Sequence, residues 1–232
     1  METEQKMERL KRLLDDWDSC ERCGLCTPTG RRRHHVVFGE GSPDAHIVVI
    51  GDAPREKEDI TGRPFAGRQG EVLDMFLNDN NSTRDDVFLL NIVGCRPTDE
   101  VITGKPRAPS KAELTACSPR VAAILDIVDP YVVILLGGTA FKTLALEKGG
   151  IKAVASDSQI PDVRAVTQGT FMQVERTAFA TWHPNYLLAN WTMDEGGCVR
   201  QSMRTWEKAF RVSDMCAELY RGITPPLRSN DD

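Results

Sequence analysis

The chain has 232 residues, a formal net charge of −5, an apolar fraction of 41% and a charged fraction of 27%. These values are typical of a globular protein with a full core, and the odd count of seven cysteines argues against a disulfide framework. No apolar run approaches the ~20 residues that span a bilayer, and the charged N-terminus lacks the apolar segment of a secretory signal. We therefore expect a cytoplasmic protein. The acidic balance gives no support to nucleic-acid binding, although a local basic face would still allow it.

Predicted helices and strands alternate along the chain. Helical spacing of apolar residues predicts an N-terminal amphipathic helix over residues 4–18. Four short apolar runs predict buried strands, at residues 46–50, 87–93, 131–136 and 178–182. Further helices are predicted through residues 72–77, after a capping box formed by Ser110 and Glu113, through residues 141–144, and over residues 196–221. This order predicts a three-layer α/β/α fold around a central, mostly parallel four-stranded sheet, formed by a single domain over residues 1–232.

Polar residues stand at the ends of three predicted strands, where open α/β sheets bind their ligands. Asp52 follows the first strand, Asn91 interrupts the second, and His183 follows the fourth. Taken singly, each has an ordinary structural interpretation: a solvated acid, an amide that satisfies nearby backbone, and a structural histidine. An amide at this edge is also suited to reading the donors and acceptors of a nucleobase. The three positions become informative only as a set.

Cys20 and Cys23 are spaced as a pair of metal ligands, because C-x-x-C places two thiolates within one turn. A [4Fe–4S] cluster needs four thiolates, and the natural candidates for the other two are Cys95 and Cys117, which flank a polar loop. Zinc would accept the same four ligands. Cys198 and Cys216 fit an alternative role as buried free thiols in an apolar helix.

Four segments in order along the chain carry a resemblance to a known family. They are GDAPREKED at residues 51–59, TGRPFAG at 61–67, NIVGCRP at 91–97 and HPNYLL at 183–188. Together they resemble the family 4 uracil-DNA glycosylases, which carry an iron–sulfur cluster. The resemblance covers about residues 17–190 and implies an enzyme that hydrolyses the bond between a flipped-out pyrimidine and its deoxyribose.

The resemblance also implies roles for individual residues. Asp52 occupies the position of the catalytic glutamate, and His183 that of the histidine facing the base carbonyl. The base would be contacted by Ala53, Glu58, Phe65 and Asn91. Contacts to DNA would come from Arg55, Arg63, Lys105, Arg107, Asn185, Tyr186 and Leu187, the last three in a loop that wedges into the duplex. Cys20, Cys23, Cys95 and Cys117 match the ligands of a [4Fe–4S] cluster, which would tie the N-terminal helix and cysteine segment, residues 1–30, to the core; Cys26 fits the pattern without being a ligand.

The chain departs from the family at the pocket. Asp52 is one methylene shorter than the usual glutamate, Arg55 replaces a glycine, and the loop between Cys95 and Cys117 is several residues longer. These departures favour a larger or modified pyrimidine, such as a hypermodified phage base removed in anti-phage defence, beside uracil itself. An inactive DNA-binding or sensing protein is a further alternative. Covalent capture through a loop histidine is disfavoured because no histidine lies between Asn91 and Cys117. The expected partner is DNA, bound by a monomer, with the basic residues 31–35 as a further candidate phosphate contact.

Overall fold

A computed structural model of the chain describes residues 1–25, 36–99, 105–144, 154–155, 161–162, 170–171, 174–175, 177–190 and 197–219. Cys26, the basic residues 31–35 and the centre of the long loop at residues 100–104 lie outside the described residues. No helix in the described part of the chain is both long enough and apolar enough to cross a membrane.

The helices agree closely with the apolar periodicity of the sequence. They are α1 (Thr3–Asp18), α2 (Glu56–Thr61), α3 (Arg68–Asp79), α4 (Lys111–Val128), α5 (Gly137–Leu144), α6 (Pro184–Asn190) and α7 (Cys198–Leu219), with a 3₁₀ turn at Arg84–Asp86. The predicted capping box is confirmed at the start of α4, where Ser110 Oγ accepts from the Glu113 amide at 3.3 Å and Glu113 Oε2 accepts from the Ser110 amide at 2.7 Å. The short helices α2 and α6 have no counterpart in the predicted elements, because six and seven residues are too few to establish a period.

The strands of the main sheet are β1 (Glu40–Gly41), β2 (Ile47–Gly51), β3 (Phe88–Asn91), β4 (Val132–Leu136) and β9 (Thr177–Thr181). Two separate antiparallel pairs join β5 (Val154–Ala155) to β6 (Pro161–Asp162) and β7 (Thr170–Phe171) to β8 (Val174–Glu175). The main sheet has the order β1-β3-β2-β4-β9, with β1 antiparallel to β3 and every other pair parallel.

The prediction of four strands is therefore wrong by one: the four predicted strands form the parallel part, and β1 adds a fifth at the edge. The strand β1 consists only of Glu40 and Gly41, so it contains no apolar run from which a strand could be predicted. Gly41 has a φ of 125°, and a Cβ there would lie 1.9 Å from the carbonyl oxygen of Val87. Only glycine permits this approach of β1 to its neighbour.

The core lies on both faces of the sheet, as the three-layer prediction requires. On one face, Ile50, Leu90 and Leu135 pack in a cluster that includes apolar residues of α1, α4 and α5. On the other face, Val49 and Ile134 pack in a second cluster with α3, α6 and α7. Because side chains alternate across a strand, these fully buried strands supply both clusters and read as continuous apolar runs.

Candidate active site

The strand register brings the predicted site residues to one edge of the sheet. Gly51 pairs with Asn91 between β2 and β3, and Leu136 pairs with Thr181 between β4 and β9. The residues that follow these strand ends therefore lie side by side. Asp52 comes directly after β2, and His183 lies two residues beyond the end of β9.

Asp52 is held against the first turn of α5. Its Oδ1 accepts a hydrogen bond of 3.0 Å from the Ala140 amide, and the Thr139 side chain provides a second contact. Burial raises the pKa of Asp52 above its usual value, and the bonds from Ala140 and Thr139, together with the charge of Arg55, act in the opposite direction. The carboxylate is thus partly desolvated and stabilised by a few fixed donors.

His183 lies across Gly137 from Asp52. A Cβ on Gly137 would stand 3.1 Å from His183 Cβ and 3.7 Å from Asp52 Oδ1, so the glycine, with its φ of 90°, lets the two side chains approach. Burial, with a smaller contribution from Arg55, lowers the pKa of His183 to about 4. The imidazole is therefore neutral near pH 7. Because Nδ1 accepts from the Asn185 amide at 3.2 Å, the single N–H of the ring is on Nε2.

A buried carboxylate organises the residues predicted to contact the base. Glu58, which is 1% exposed, accepts from the Phe65 amide at 2.7 Å and from Asn91 Nδ2 at 2.9 Å through Oε1. Its Oε2 accepts from the Arg55 amide at 2.9 Å and from Gln69 Nε2. Burial raises the pKa of Glu58, although these four bonds favour the ionised form. Glu58 therefore lies beneath Phe65 and Asn91 and holds both in place.

Phe65 and Asn91 meet at Gly51, directly beside Asp52. A Cβ on Gly51 would lie 2.5 Å from Asn91 Oδ1 and 2.8 Å from Phe65 Cζ, so no other residue fits between them. Phe65 and Asn91 are each 1% exposed, which places both behind the outer wall of the site. The structure thus brings together all four residues on which the resemblance depends: Asp52, Phe65, Asn91 and His183.

The backbone of Phe65 is fixed by a residue that the sequence did not reveal. Phe65 has a φ of 52°, which is rare for a side chain of its size. Arg84 donates to the carbonyl oxygens of Pro64 at 3.2 Å and Phe65 at 2.9 Å, and it pairs with Asp74 at 2.6 Å and Glu40 at 2.9 Å. No motif marks Arg84, because it lies in a polar turn nineteen residues after Phe65. Gln69, whose side chain donates to Glu58, is likewise not marked by any motif.

A cavity of about 210 Å³ opens at this edge. Its lining includes Asp52 and His183 together with Ala53, Arg55 and Arg107. The rest of the rim is rich in proline, with Pro54, Pro97, Pro106, Ala108 and Pro109. The size suits one planar ring and its immediate substituents.

The basic residues predicted to contact DNA differ in their exposure. Arg55, Arg63 and Lys105 are exposed, and Arg63 bonds to Glu40 at 2.7 Å. Arg107 is partly buried and forms a two-pronged ion pair with Glu113, at 2.8 Å and 2.5 Å, which lowers the pKa of Glu113 to about 2.

The segment predicted as a wedging loop is instead the helix α6, and this changes which side chain is accessible. Leu187 is 0% exposed and packs in the core, so its predicted contact with DNA is corrected: a leucine in this position of the helix faces the core. Tyr186 is 45% exposed, and its ring stacks on Trp182 at a centroid distance of 4.3 Å and an angle of 9°. Asn185 is partly buried and reaches His183 through its backbone amide.

The four cysteines of the predicted metal site belong to one region of the core. Cys95 and Cys117 are buried in the cluster on the α1–α4 face, and Cys20 and Cys23 pack against that cluster from the segment after α1. Among the described residues, no three histidine, cysteine or acidic side chains are close enough to hold a single metal ion. A four-iron cluster binds its thiolates at separate corners and so accepts ligands that stand further apart. The four thiols share one cluster of the core.

Comparison with known proteins identifies the family. The family model described as the Uracil DNA glycosylase superfamily matches residues 38–210, which include all four residues around Gly51 and Gly137. The chain belongs to this superfamily. Two similar proteins are type-4 uracil-DNA glycosylases, from Sulfurisphaera tokodaii (33% identical over 186 residues, 79% of this chain and 78% of that protein) and Thermotoga maritima (33% over 171 residues, 73% and 80%). A third, from Pyrobaculum aerophilum, has the same description and is 32% identical over 183 residues, or 78% of this chain and 84% of that protein.

Membership of the superfamily makes the chain a DNA glycosylase, a hydrolase of N-glycosyl bonds. It also supports the predicted α/β/α architecture, since the matched region extends from just before β1 into α7. As a glycosylase, the chain needs an acid near the sugar, a donor for the base and a surface for the ring. An acid and an imidazole, Asp52 and His183, line the cavity, and the ring of Phe65 lies behind its wall.

Proposed function

We propose that the chain hydrolyses the N-glycosidic bond of a pyrimidine flipped out of DNA, with uracil as the first candidate base. The observation that carries this proposal is the convergence of Asp52 and His183 across Gly137, in the lining of one cavity. Uracil is the first candidate because each of the similar proteins is called a type-4 uracil-DNA glycosylase.

In this reaction Asp52 acts on the sugar side of the bond. Breaking N1–C1′ leaves positive charge on the deoxyribose, which a carboxylate stabilises while it orients the attacking water. The bonds from Ala140 and Thr139 fix the carboxylate, so little reorganisation is needed as the charge develops. Partial burial strengthens the interaction because fewer water molecules screen it.

His183 acts on the base side. The departing base carries negative charge on its O2 oxygen, and a neutral imidazole with its proton on Nε2 is a suitable hydrogen-bond donor for it. The bond from the Asn185 amide to Nδ1 selects this tautomer. Loss of one donor of this kind typically costs ~3 kcal/mol of transition-state stabilisation.

Asn91 and Phe65 recognise the ring in this proposal. Asn91 reads the polar edge of the pyrimidine and Phe65 stacks on its face once the base has displaced the residues that cover both side chains, which are each 1% exposed. Such stacking contributes ~1–3 kcal/mol and offsets part of the few kcal/mol needed to extrude the base. Glu58 positions both groups from below through its bonds to Asn91 Nδ2 and the Phe65 amide.

The cofactor that fits the cysteine region is a [4Fe–4S] cluster held by Cys20, Cys23, Cys95 and Cys117. When bound, it would supply a structural link between the segment after α1 and the chain on both sides of the long loop, without redox chemistry in the reaction. Absorption near 400 nm by the purified protein would distinguish iron–sulfur from zinc, which is d¹⁰ and gives no such colour.

A modified pyrimidine is the second candidate substrate, including glucosylated hydroxymethylcytosine removed in anti-phage defence. The shorter acid at Asp52 leaves space in the cavity, and Arg55 in the cavity lining offers a charged contact outside the ring, so both favour this candidate. A protein that binds DNA without cleaving it is the remaining alternative.

One experiment distinguishes these possibilities. Oligonucleotides with uracil, hydroxymethyl-pyrimidines or glucosylated cytosine are incubated with the protein, and abasic sites are measured. We expect release of at least one base, a loss on the order of a thousandfold in Asp52→Asn, and about a hundredfold in His183→Ala. Asp126→Asn, an exposed acid on α4, is the matched control. Absence of base release from every substrate would support the inactive alternative, and cleavage of uracil alone would exclude the modified-base candidate.

A further inference from the structure

Three cations form a stripe along the exposed face of α7. Arg200, Arg204 and Lys208 are all exposed and follow one another at intervals of four residues. Side chains four residues apart on a helix are neighbours, with Cβ atoms roughly 5–6 Å apart, so the three charges lie on one face. At ~1.5 Å of rise per residue they extend over about 12 Å of the helix axis. We call these three residues the basic stripe.

The core fixes the direction in which the basic stripe faces. On the opposite side of α7, Trp206 and Ala209 are 0% exposed and pack in the second core cluster with residues of α3 and α6. The Trp206 ring stacks on that of Phe76 at a centroid distance of 5.6 Å. Rotation of α7 about its axis would expose these apolar side chains to water, so the cations are kept on the outside.

The beginning of the basic stripe lies at the edge of the sheet that carries the candidate active site. Ser202, which is buried, accepts a hydrogen bond of 2.9 Å from Thr181 Oγ1. Thr181 is the last residue of β9, and His183 follows two residues later. Arg200 and Arg204 stand two residues before and after Ser202, so both are within about 3 Å of it along the helix axis. The basic stripe therefore starts beside the strand that leads to His183.

The basic stripe differs from an ordinary solvated helix face in its ion pairing. Among the described residues, no carboxylate pairs with Arg204 or Lys208, whereas Arg211, further along α7, is joined to Glu207 at 2.6 Å. Like charges four residues apart on a helix repel each other and destabilise it. The net charge of the chain is −5, so this local concentration of positive charge is opposite to the overall balance. An anionic ligand would offset the repulsion.

We propose that the basic stripe binds the phosphate backbone of the DNA strand that flanks the flipped nucleotide. DNA is the polyanion that a glycosylase must bring to this edge of the sheet. One strand of a duplex carries a phosphate every ~3.4 Å along its axis, so about 12 Å of helix faces three or four of them. This inference rests on the proposed function, because it takes the edge with Asp52 and His183 as the place where the base is flipped.

Phosphate contacts have a characteristic dependence on salt. Each neutralised phosphate of duplex DNA contributes ~0.9 to the slope of log K against log salt, because counterions are released on binding. Loss of three contacts should reduce the slope by about 2.7. Between about 50 and 200 mM salt, the DNA affinity of the unsubstituted protein should therefore fall about 40-fold more than that of a variant without the basic stripe.

The experiment compares two variants that change the net charge equally. The test variant replaces the basic stripe by glutamine, as Arg200→Gln, Arg204→Gln and Lys208→Gln together. The control variant replaces three exposed cations of α1, as Arg9→Gln, Lys11→Gln and Arg12→Gln together. Binding of a short undamaged duplex is followed by fluorescence anisotropy from about 50 to 200 mM salt.

We expect the test variant to lose about 2.7 of the slope and the control variant to keep the slope within about 0.5. An unchanged slope in the test variant would overturn the proposal. An equal decrease in both variants would also overturn it, because net charge alone would then explain the change. Absence of duplex binding by the unsubstituted protein at about 50 mM salt would do the same.

A second measurement needs no variant. Lysines of the unsubstituted protein are acetylated with and without the duplex, and the modification of Lys208 is compared with that of Lys11 by mass spectrometry. We expect DNA to protect Lys208 selectively, and equal modification of Lys208 with and without DNA would contradict the proposal. Neither measurement needs base release, so failure of the proposed function, seen as absence of abasic sites, is distinguishable from failure of this inference.

Discussion

Glu58 and Asn91 are joined by a hydrogen bond of 2.9 Å from Asn91 Nδ2 to Glu58 Oε1. Since an ionised carboxylate only accepts, this bond decides which end of the Asn91 amide is its nitrogen. Asn91 Oδ1 is consequently turned toward Gly51 and the ring of Phe65. The orientation of the base-reading amide thus depends on an acid that contacts four donors and is itself almost inaccessible to solvent.

Substitution Glu58→Gln tests this dependence. A glutamine presents an NH₂ group to donors that need an acceptor, so we expect unfolding to become easier by about 2 kcal/mol. Base release should fall on the order of tenfold to a hundredfold through a raised KM, because Asn91 and Phe65 lose their alignment. Urea unfolding and steady-state kinetics check both effects. Glu56→Gln, an exposed acid on the same helix, is the control, and equal behaviour of the two variants would contradict the assigned role.

Arg84 provides a second test, directed at Phe65. Lysine in its place keeps the positive charge but loses the simultaneous bonds to the carbonyl oxygens of Pro64 and Phe65. We expect kcat/KM for base release to fall about tenfold, since a stacking ring held at a φ of 52° relaxes when its backbone is released. Arg211→Lys is the control, because Arg211 is exposed on α7 and its side chain bonds to that of Glu207. A normal kcat/KM in Arg84→Lys would show that Phe65 holds its position without this arginine.

The parallel part of the sheet and most of the helices were predictable because their buried residues are periodic. Four apolar runs gave the parallel strands, and the pair Ser110 and Glu113 gave the start of α4. The edge strand β1 was not predictable, since its pairing depends on the close approach of Gly41 to Val87 rather than on apolar residues. The helix α6 was missed because a segment of seven residues is too short for a period to be recognised.

The candidate site was predictable as a set of residues but not as a network. Asp52, Asn91 and His183 could be placed at one edge because parallel strands end together. Glu58 was expected to face the base, yet its carboxylate lies behind Phe65 and Asn91. Gln69 and Arg84 act through contacts with a side chain and a backbone carbonyl that lie 11 and 19 residues away along the chain, and no local pattern encodes such partners.

The two neighbouring residues Tyr186 and Leu187 should respond to truncation in opposite ways. Leu187→Ala removes a fully buried side chain and should lower the free energy of unfolding by about 2–5 kcal/mol. Tyr186→Ala removes an exposed ring and should change stability by less than about 1 kcal/mol. If the Trp182–Tyr186 stack contacts DNA, Tyr186→Ala should weaken DNA binding by about 1–3 kcal/mol. Thermal unfolding measures the changes in stability, and DNA titration measures the change in affinity. An unchanged free energy of unfolding in Leu187→Ala would contradict the burial of this side chain.

The lowered pKa of His183 predicts a pH dependence. Between its ordinary value of 6.5 and about 4, the unfolded chain binds a proton at this position that the folded chain does not. Stability should therefore fall as the pH decreases through this window, by up to about 3 kcal/mol from this group. His183→Gln should remove that part of the slope, which urea unfolding at several pH values would measure. Base release by the unsubstituted protein should show no change at pH 6.5, and a step there would mean that the imidazole titrates normally.

Proline at four positions of the rim, Pro54, Pro97, Pro106 and Pro109, has a consequence for how a nucleotide enters. Each proline has a fixed φ and lacks an amide hydrogen. The mouth is therefore shaped before any ligand arrives, and little chain freedom remains to be lost on association. The same prolines leave an entrance with few main-chain donors, so a phosphate that passes it is met mainly by the long cationic side chain of Arg55, because Arg107 is paired with Glu113.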